Sequence, residues 1–252
     1  MTSLIITAAG KASRFHDVCY DQPKYLLPWI NSQSILRNII DELTVSNHID
    51  YVLLIVNKRE QFFEDKIRNA LPNNIISDIL FVRDTMGQAH TTLLGVEEII
   101  RKGRGADHCI IHNSDTILKN RDIQNLTNFA TDEKVIGFVD TFQSNNKAYS
   151  YILESGGFLK RFLEKETISP MASSGLISFR SGEIFLKIYN SYSNKIDNTS
   201  EIYMSKFIDC SIQNGDLYKV NYNPEISNTI VLGTPEEYCI SYTVNSTGIK
   251  GS

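Results

Sequence analysis

Three stretches, far apart in the chain, carry residue types that handle phosphate and metal. The first, "IITAAGKASRFHDVCYDQPKYLLPW" (Ile5–Trp29), ends an apolar run in small residues and then supplies one arginine, Arg14, and one lysine, Lys24, directly after Pro23. Ala8, Ala9, Gly10 and Ala12, with Lys11 and Ser13 between and after them, leave the backbone open to close approach. Amides in such a bend can cradle phosphate oxygens. Arg14 offers a planar fork of donors to outer phosphates, and Lys24 a compact charge whose backbone Pro23 restrains. The spacing is neither GxGxxG nor a Walker loop. The same residues also suit an ordinary strand–loop–helix corner with solvated charges. The second stretch runs from Arg83 to His90. The third, "IIHNSDTIL", sets Asp115 just past an apolar run, where a carboxylate can ligate Mg²⁺ when a triphosphate supplies further oxygens. The plainer reading of Asp115 is a turn cap. His112 and Asn113 read as supporting hydrogen-bonders.

Positioning these groups is the task of the elements around them. "SLIITAA", "YVLLIVN", "DILFVRD", "DHCIIHNSD" and "KVIGFVDTF" read as buried strands. Between them, "SILRNIIDELTV" (capped by Ser34), "REQFFEDKIRNAL" (ended by Pro72), "GQAHTTLLGVEEIIRKG" (ended at Gly103) and "RDIQNLTNFA" read as helices. This βα alternation predicts an α/β fold: a Rossmann-like, mostly parallel mixed sheet flanked by helices. In such sheets ligands sit at the carboxyl ends of the strands, where the polar clusters Ala9–Arg14, Arg83–His90 and His112–Thr116 fall and would converge.

After about residue 140 the pattern changes. "YSYILESGGFLKRFLEK" reads as a hairpin turning at Ser155-Gly156-Gly157, and "SSGLISFRSG" as another strand. Helices follow near Ile184–Ser193 and Glu201–Gln213. "LYKVNYN" and "TIVLG" read as late strands of the same sheet, and "TPEEYCISY" as a closing helix capped by Thr234. With no Pro/Gly/Ser linker, a single domain over 1–243 is expected: a nucleotide-binding half (1–140), an acceptor-binding half (141–243) and a flexible tail (244–252).

Bulk properties narrow the partners. A chain of 252 residues, 42% hydrophobic, can bury a full core. A net charge of -4 gives no general attraction to nucleic acid or to a membrane surface. Cys19, Cys109, Cys210 and Cys239 form no CxxC pair, which argues for reduced thiols rather than a zinc site or disulfides. The first residues, "MTSLIITAAG", have neither a basic leader nor a span-length apolar run, so a cytoplasmic, non-inserted protein is expected. A homo-oligomer is left open.

"AAGKASRF…PKYLLPW" resembles the opening signature of the nucleotidyltransferase (pyrophosphorylase) family, whose GT-A-like fold includes sugar-1-phosphate nucleotidyltransferases and small cytidylyltransferases. "NSDTIL" is similar to that family's metal-binding strand end, "FLEK" with "SSGLISF" to its acceptor-side segment, and "VLGTPEEY" to its closing motif. The matches keep family order from about Ile5 to Tyr238.

The resemblance implies condensation of a nucleoside triphosphate with a phosphorylated acceptor, releasing pyrophosphate. CTP is favoured and UTP next, for a surface-polysaccharide or capsule precursor. It implies Arg14 on the β- and γ-phosphates, Lys24 between the α-phosphate and the attacking phosphate, and Asp115 on Mg²⁺. The loop Ala8–Ser13, together with Asn113 and Ser114, would line the nucleotide. Gly87 and Gln88 would meet the base. Lys165 would act at the reacting phosphate, with Glu164, Ser174 and Gly175 alongside the acceptor.

The chain also departs from the pattern. Ala12 replaces a usual second glycine. Asn113 stands where some relatives have an acid. Gly233 occupies the slot before "TP" where many members carry a second metal-binding aspartate. A group near Asn228 or Glu225, or water, would then complete the shell. Two other classes compete. A GT-A glycosyltransferase would want two acids where "NSD" has one. A non-catalytic nucleotide-binding domain fits Gly233 but not the joint retention of Arg14, Lys24 and Asp115.

Overall fold

The computed structural model describes residues 1–10, 15, 18, 20–129, 132–196 and 201–247. Lys11, Ala12, Ser13 and Arg14 lie outside the described residues.

The apolar runs form strands because they are buried on both faces. In β1 (Thr2–Ala8), Leu4, Ile6 and Ala8 enter one core layer, while Ile5 and the following Ala9 enter the other. In β2 (Tyr51–Asn57), Val52, Leu54 and Val56 share the first layer, and Leu53 and Ile55 the second. Side-chain alternation therefore feeds two cores at once, which requires helices on both sides. α1 (Ile35–Thr44) covers the first layer with Ile35, Leu36, Ile39, Ile40 and Leu43, and Ser34 Oγ accepts from Arg37 N at 3.1 Å as its cap. A short helix, α2 (Glu64–Ala70), follows β2 on this layer. On the second layer α3 (Gln88–Arg101) packs close through Gly95, where a Cβ would collide with Ile55 Cδ1.

The main sheet also contains β3 (Ile76–Val82), β4 (His108–Asn113), β6 (Val135–Gln143), β7 (Tyr151–Ser155), β8 (Phe158–Leu163), β9 (Met171–Phe179) and β10 (Leu217–Asn223), in the order β3-β2-β1-β4-β9-β6-β10-β8-β7. β3, β2, β1 and β4 run parallel, as do β6 and β10, while β9 lies antiparallel between β4 and β6. The chain leaves β1 toward β3 and then returns to place β4 on the other side of β1. The gap between the ends of β1 and β4 is therefore the switch point where such sheets bind ligands. The β7–β8 hairpin turns through Gly156 and Gly157, both at positive φ. α5 (Gly182–Tyr192) and α6 (Met204–Gln213) complete the second layer.

The structure differs from the sequence expectations at four places. "TIVLG" does not join the main sheet. Its strand, β11 (Thr229–Val231), pairs antiparallel with β5 (Thr116–Leu118), a stretch to which the sequence reading assigned no strand of its own. "REQFFEDKIRNAL" begins as 3₁₀ turns over Lys58–Phe63 before α2. "RDIQNLTNFA" forms only one turn, α4 (Ile123–Leu126). The closing helix, α7 (Pro235–Thr247), runs past the expected start of the tail at 244. Among the described residues no helix is long and apolar enough to cross a membrane.

Candidate active site

β1 stops at Ala8, and Ala9 is buried behind it. Gly10 then stands open, with nothing within 4 Å of where a Cβ would be. Beside it in the sheet, Thr7 faces Asn113 across the β1–β4 pair. The chain bends after Asn113, through buried Ser114 to Asp115. It then changes partners from β1 to β11, where Leu232 N donates to Asp115 O at 2.7 Å. His112 is fully buried and its Nε2 meets Thr116 O at 2.7 Å. Burial lowers its pKa to about 4, so it stays neutral at physiological pH.

Lys24 reaches this strand end from the loop that leaves β1. A 3₁₀ turn, Lys24–Leu26, follows Pro23. Buried Tyr25 anchors the turn by donating to Glu60 Oε2 at 2.9 Å, and Tyr238 of α7 donates to Pro28 O at 2.9 Å. The ammonium thereby lies 2.5 Å from Asp115 Oδ2, bridging 91 residues of sequence. Burial opposes ionisation of Asp115, but the Lys24 charge and hydrogen bond outweigh it and hold the carboxyl below the usual range.

Gly233 faces the same point. A Cβ built there would stand 3.5 Å from Asp115 Oδ2 and 3.5 Å from Glu237 Oε2. Glu237 closes a capping box at the start of α7: Thr234 N donates to its Oε2 at 2.9 Å, and its own N donates to Thr234 Oγ1 at 3.2 Å. A Cβ in that slot would stand in ordinary van der Waals contact with both carboxylates. Oxygen donors of this kind fit Mg²⁺, which is bound by one or two carboxylates plus substrate phosphates. Among the described residues no group of three or more His, Cys, Asp or Glu side chains forms a complete protein cage. Glu237 also borders a cavity of about 600 Å³ lined by Phe142, Asn145, Asn146, Tyr149 and Ile226.

The other expected residues fall into two groups. Gly87 takes φ 122° at the start of α3, and any Cβ would lie 2.7 Å from Ile202 O. Ala89 N donates to Ile202 O and Ile202 N to Met86 O, fixing this bend. Gln88 Nε2 is buried with no partner among the described residues. Next to Ile202, the Tyr203 hydroxyl accepts from Lys165 Nζ at 3.0 Å and donates to Glu201 Oε2 at 2.8 Å. Lys165 itself holds a left-handed φ of 56°, a strained state for a side-chain-bearing residue. Its hydrogen bond to Tyr203 raises its pKa and keeps it charged. Glu164 accepts from Ser150 and Ser205 and lies 3.9 Å from Lys165 Nζ.

Gly175 (φ 83°) makes room for Asn113, whose Nδ2 would collide with a Cβ there. Asn113 Oδ1 is buried and unpaired among the described residues. Ser174 points elsewhere: it is 3% exposed and donates to Asp140 Oδ2 at 2.6 Å. The Ser174 side chain is thus taken up by the buried network around Asp140.

A family model described as nucleotidyl transferase matches residues 3–222. The chain belongs to the nucleotidyl transferase family. Its activity class is nucleotidyl transfer. Among solved structures, a nucleoside-diphosphate-sugar pyrophosphorylase from Vibrio cholerae RC9 is 25% identical, with a TM-score of 0.76 over 96% of this chain and 100% of that one. An inositol-1-phosphate CTP transferase from T. maritima (13% identity, TM-score 0.74, 99% and 98% covered) and a UDP-glucose pyrophosphorylase complexed with UDP-glucose (15%, 0.76, 99% and 100%) share the fold. No curated protein shows significant sequence similarity to the chain.

Sequence reasoning missed two features of this nucleotidyl transferase. Glu237 was hidden inside a helix start; the S/T-x-x-E spacing signalled a cap, and a cap turns its carboxylate back over the preceding loop. The second feature is the Arg121–Asp140 pair, with side chains 1% and 0% exposed. Arg121 also donates to Thr229 Oγ1 at 2.7 Å and Lys119 O at 3.1 Å, and Asn221 Nδ2 to Asp140 Oδ1 at 2.6 Å. This network ties β6, β9 and β10 to the β5–β11 ribbon that carries Asp115 and Gly233.

Proposed function

We propose that the protein joins a nucleoside triphosphate to a phosphorylated small-molecule acceptor, giving a nucleoside-diphosphate-linked product and pyrophosphate. The observation that carries this is the Lys24–Asp115 pair at the β1–β4 switch point, with Gly10 open just past the end of β1. An acceptor phosphate oxygen forms a bond to the α-phosphorus as the bond from that phosphorus to the bridging oxygen breaks, and pyrophosphate departs with the electron pair. Such a transfer needs charge neutralisation and alignment rather than a covalent intermediate. Lys24 offsets the repulsion between the two approaching phosphates. Arg14, in this reading, holds the leaving pyrophosphate. Asp115 would hold Mg²⁺, which when bound neutralises phosphate charge. Lys165, fixed by Tyr203, meets the acceptor phosphate from the other half, with Glu164 beside it.

For the nucleotide, the unpaired Gln88 Nε2 offers a buried donor to a base carbonyl or ring nitrogen. CTP is favoured and UTP next. The inositol-1-phosphate CTP transferase matches this chain almost end to end, and the two sugar-nucleotide pyrophosphorylases support a sugar phosphate or a similar acceptor. The cavity beside Glu237 is lined by two aromatic rings, three amides (Gln143, Asn145 and Asn146) and the Glu237 carboxylate, with no cation, which suits an acceptor whose far end is neutral or cationic. The product would serve surface-polysaccharide or capsule synthesis from the cytoplasm.

The test is a thermal-shift panel with Mg²⁺ and CTP, UTP, dTTP, GTP or ATP beside UDP- and GDP-sugars, followed by pyrophosphate release with candidate acceptors. A ligand at about one hundred times its dissociation constant stabilises by roughly 2.7 kcal/mol, or about 5–10 °C here. One triphosphate standing out only with Mg²⁺ is the expected result. A response to nucleoside-diphosphate sugars with none to any triphosphate would overturn the proposal in favour of a glycosyltransferase.

A further inference from the structure

The cavity of about 600 Å³ lies between the two halves of the site. On one side it reaches Glu237 of α7 and Val231, which pairs with Thr116 next to Asp115. On the other it reaches Tyr149, one residue before Ser150, whose hydroxyl donates to Glu164 beside Lys165. Phe142 and Tyr149 stand together on its wall, with ring centroids 5.6 Å apart and planes tilted by 56°. The Tyr149 hydroxyl donates to Glu237 Oε1 at 3.4 Å, so two rings and one carboxylate adjoin one another. Among the described residues no lysine, arginine or histidine lines the cavity.

Much of the polar lining is already engaged by the chain itself. Asn146 N donates to Ser144 Oγ at 3.1 Å, Ala148 N to Asn146 Oδ1 at 3.0 Å and Arg121 Nη2 to Thr229 Oγ1 at 2.7 Å. A polyol entering here would exchange its hydrogen bonds to water for few replacements. Glu237 is engaged too, but its donors, the Tyr149 hydroxyl and Thr234 N, are neutral and leave its charge uncompensated. An alkylated ammonium group suits these walls. It has no need of a free lone pair, and it gains from ring faces and from the field of a nearby carboxylate.

We infer that this cavity holds the far end of the acceptor and that this end is an alkylated ammonium group, selected by Phe142, Tyr149 and Glu237. The substrate is then a phosphomonoester with a cationic nitrogen a few atoms from its phosphate. The inference rests on the nucleotidyl-transfer reading and names the acceptor class within it; a sugar phosphate is thereby disfavoured.

The experiment compares two probes of one shape, choline phosphate and its uncharged carbon isostere 3,3-dimethylbutyl phosphate, beside glucose 1-phosphate. Each is titrated calorimetrically onto the full chain, without nucleotide and again with the α,β-methylene analogue of the triphosphate that the thermal-shift panel selects. The parent should bind the charged probe about tenfold or more tighter than its isostere. Glu237→Gln keeps the capping box, and Tyr149→Leu removes one ring; melting curves without ligand check that each variant folds. In either variant the preference for charge should fall toward one. Damage to the fold alone would weaken both probes equally and leave that ratio unchanged. Equal binding of the two probes by the parent, tighter binding of glucose 1-phosphate, an unchanged ratio in both variants, or no binding of any probe under either condition overturns the inference. If pyrophosphate is released faster with glucose 1-phosphate than with choline phosphate, the transfer reading stands and the inference falls. If the charge preference is found but no triphosphate yields pyrophosphate, the cation pocket stands and the transfer reading falls.

Discussion

Replacing Asp140 by asparagine tests whether the buried network supports the site above it. The change keeps the side chain's shape and removes its charge. Arg121, 1% exposed, would then hold a guanidinium with no counter-ion, and the new amide would turn its donor end toward Arg121 or toward Ser174 and Asn221. Breaking a buried pair by removing one partner costs about 3–5 kcal/mol. For a domain of this length that corresponds to a fall in melting temperature of roughly 6–20 °C. The damage should also be directional. Arg121 clamps Thr229 and Lys119 of the β5–β11 ribbon, so amide exchange should speed up first at Leu232, whose N–H bonds to Asp115 O. Chemical denaturation and residue-resolved hydrogen exchange measure both. A loss below about 1 kcal/mol would show that the pair is solvated or dispensable, contrary to its burial. A large loss with Leu232 protection unchanged would sever the network from the site.

Three further expectations concern the site itself. Lys24→Ala should abolish pyrophosphate release while costing only about 1 kcal/mol of stability, because the pair is partly exposed; near-normal turnover would remove Lys24 from the reaction. Tyr25→Phe should cost about 1–3 kcal/mol by leaving the buried Glu60 carboxylate short of a donor, and should lower turnover by loosening the Lys24 turn; an unchanged melting curve would refute the anchor. His112 has a folded pKa of about 4 against 6.5 for its ordinary value, so the unfolded chain binds more protons between those limits. Its stabilising contribution is therefore full above pH 6.5 and is lost as pH falls toward 4, by about 3 kcal/mol; parallel pH–stability curves for the parent and His112→Gln would contradict this.

Much of the fold was written in local pattern. The unbroken apolar runs of β1 and β2 announced burial on two faces, Ser34 and Thr234 marked helix starts, and Gly156-Gly157 marked the hairpin turn. The place of Asp115 at the carboxyl end of β4 followed from topology, whereas the reach of Lys24 to it, from a 3₁₀ turn well past the end of β1, did not. What stayed hidden depended on orientation or distance. The short strand β5 went unread because nothing local shows that the backbone trades β1 for β11 at Asp115. The Arg121–Asp140 pair leaves no periodic trace. Glu237 could be read as a cap, but its approach to Asp115 depends on where α7 docks, and Tyr238 fixes that by its bond to Pro28 O.

The Met86–Ile202 and Ile202–Ala89 bonds set residue 202 against the bend that starts α3, and the adjoining Tyr203 grips Lys165. Two neighbouring residues thus act as a gauge between the places proposed for the base and for the acceptor phosphate. Inserting one residue after Ile202 would leave both pockets chemically complete yet out of register with each other, and such a protein should bind each substrate alone while failing to join them.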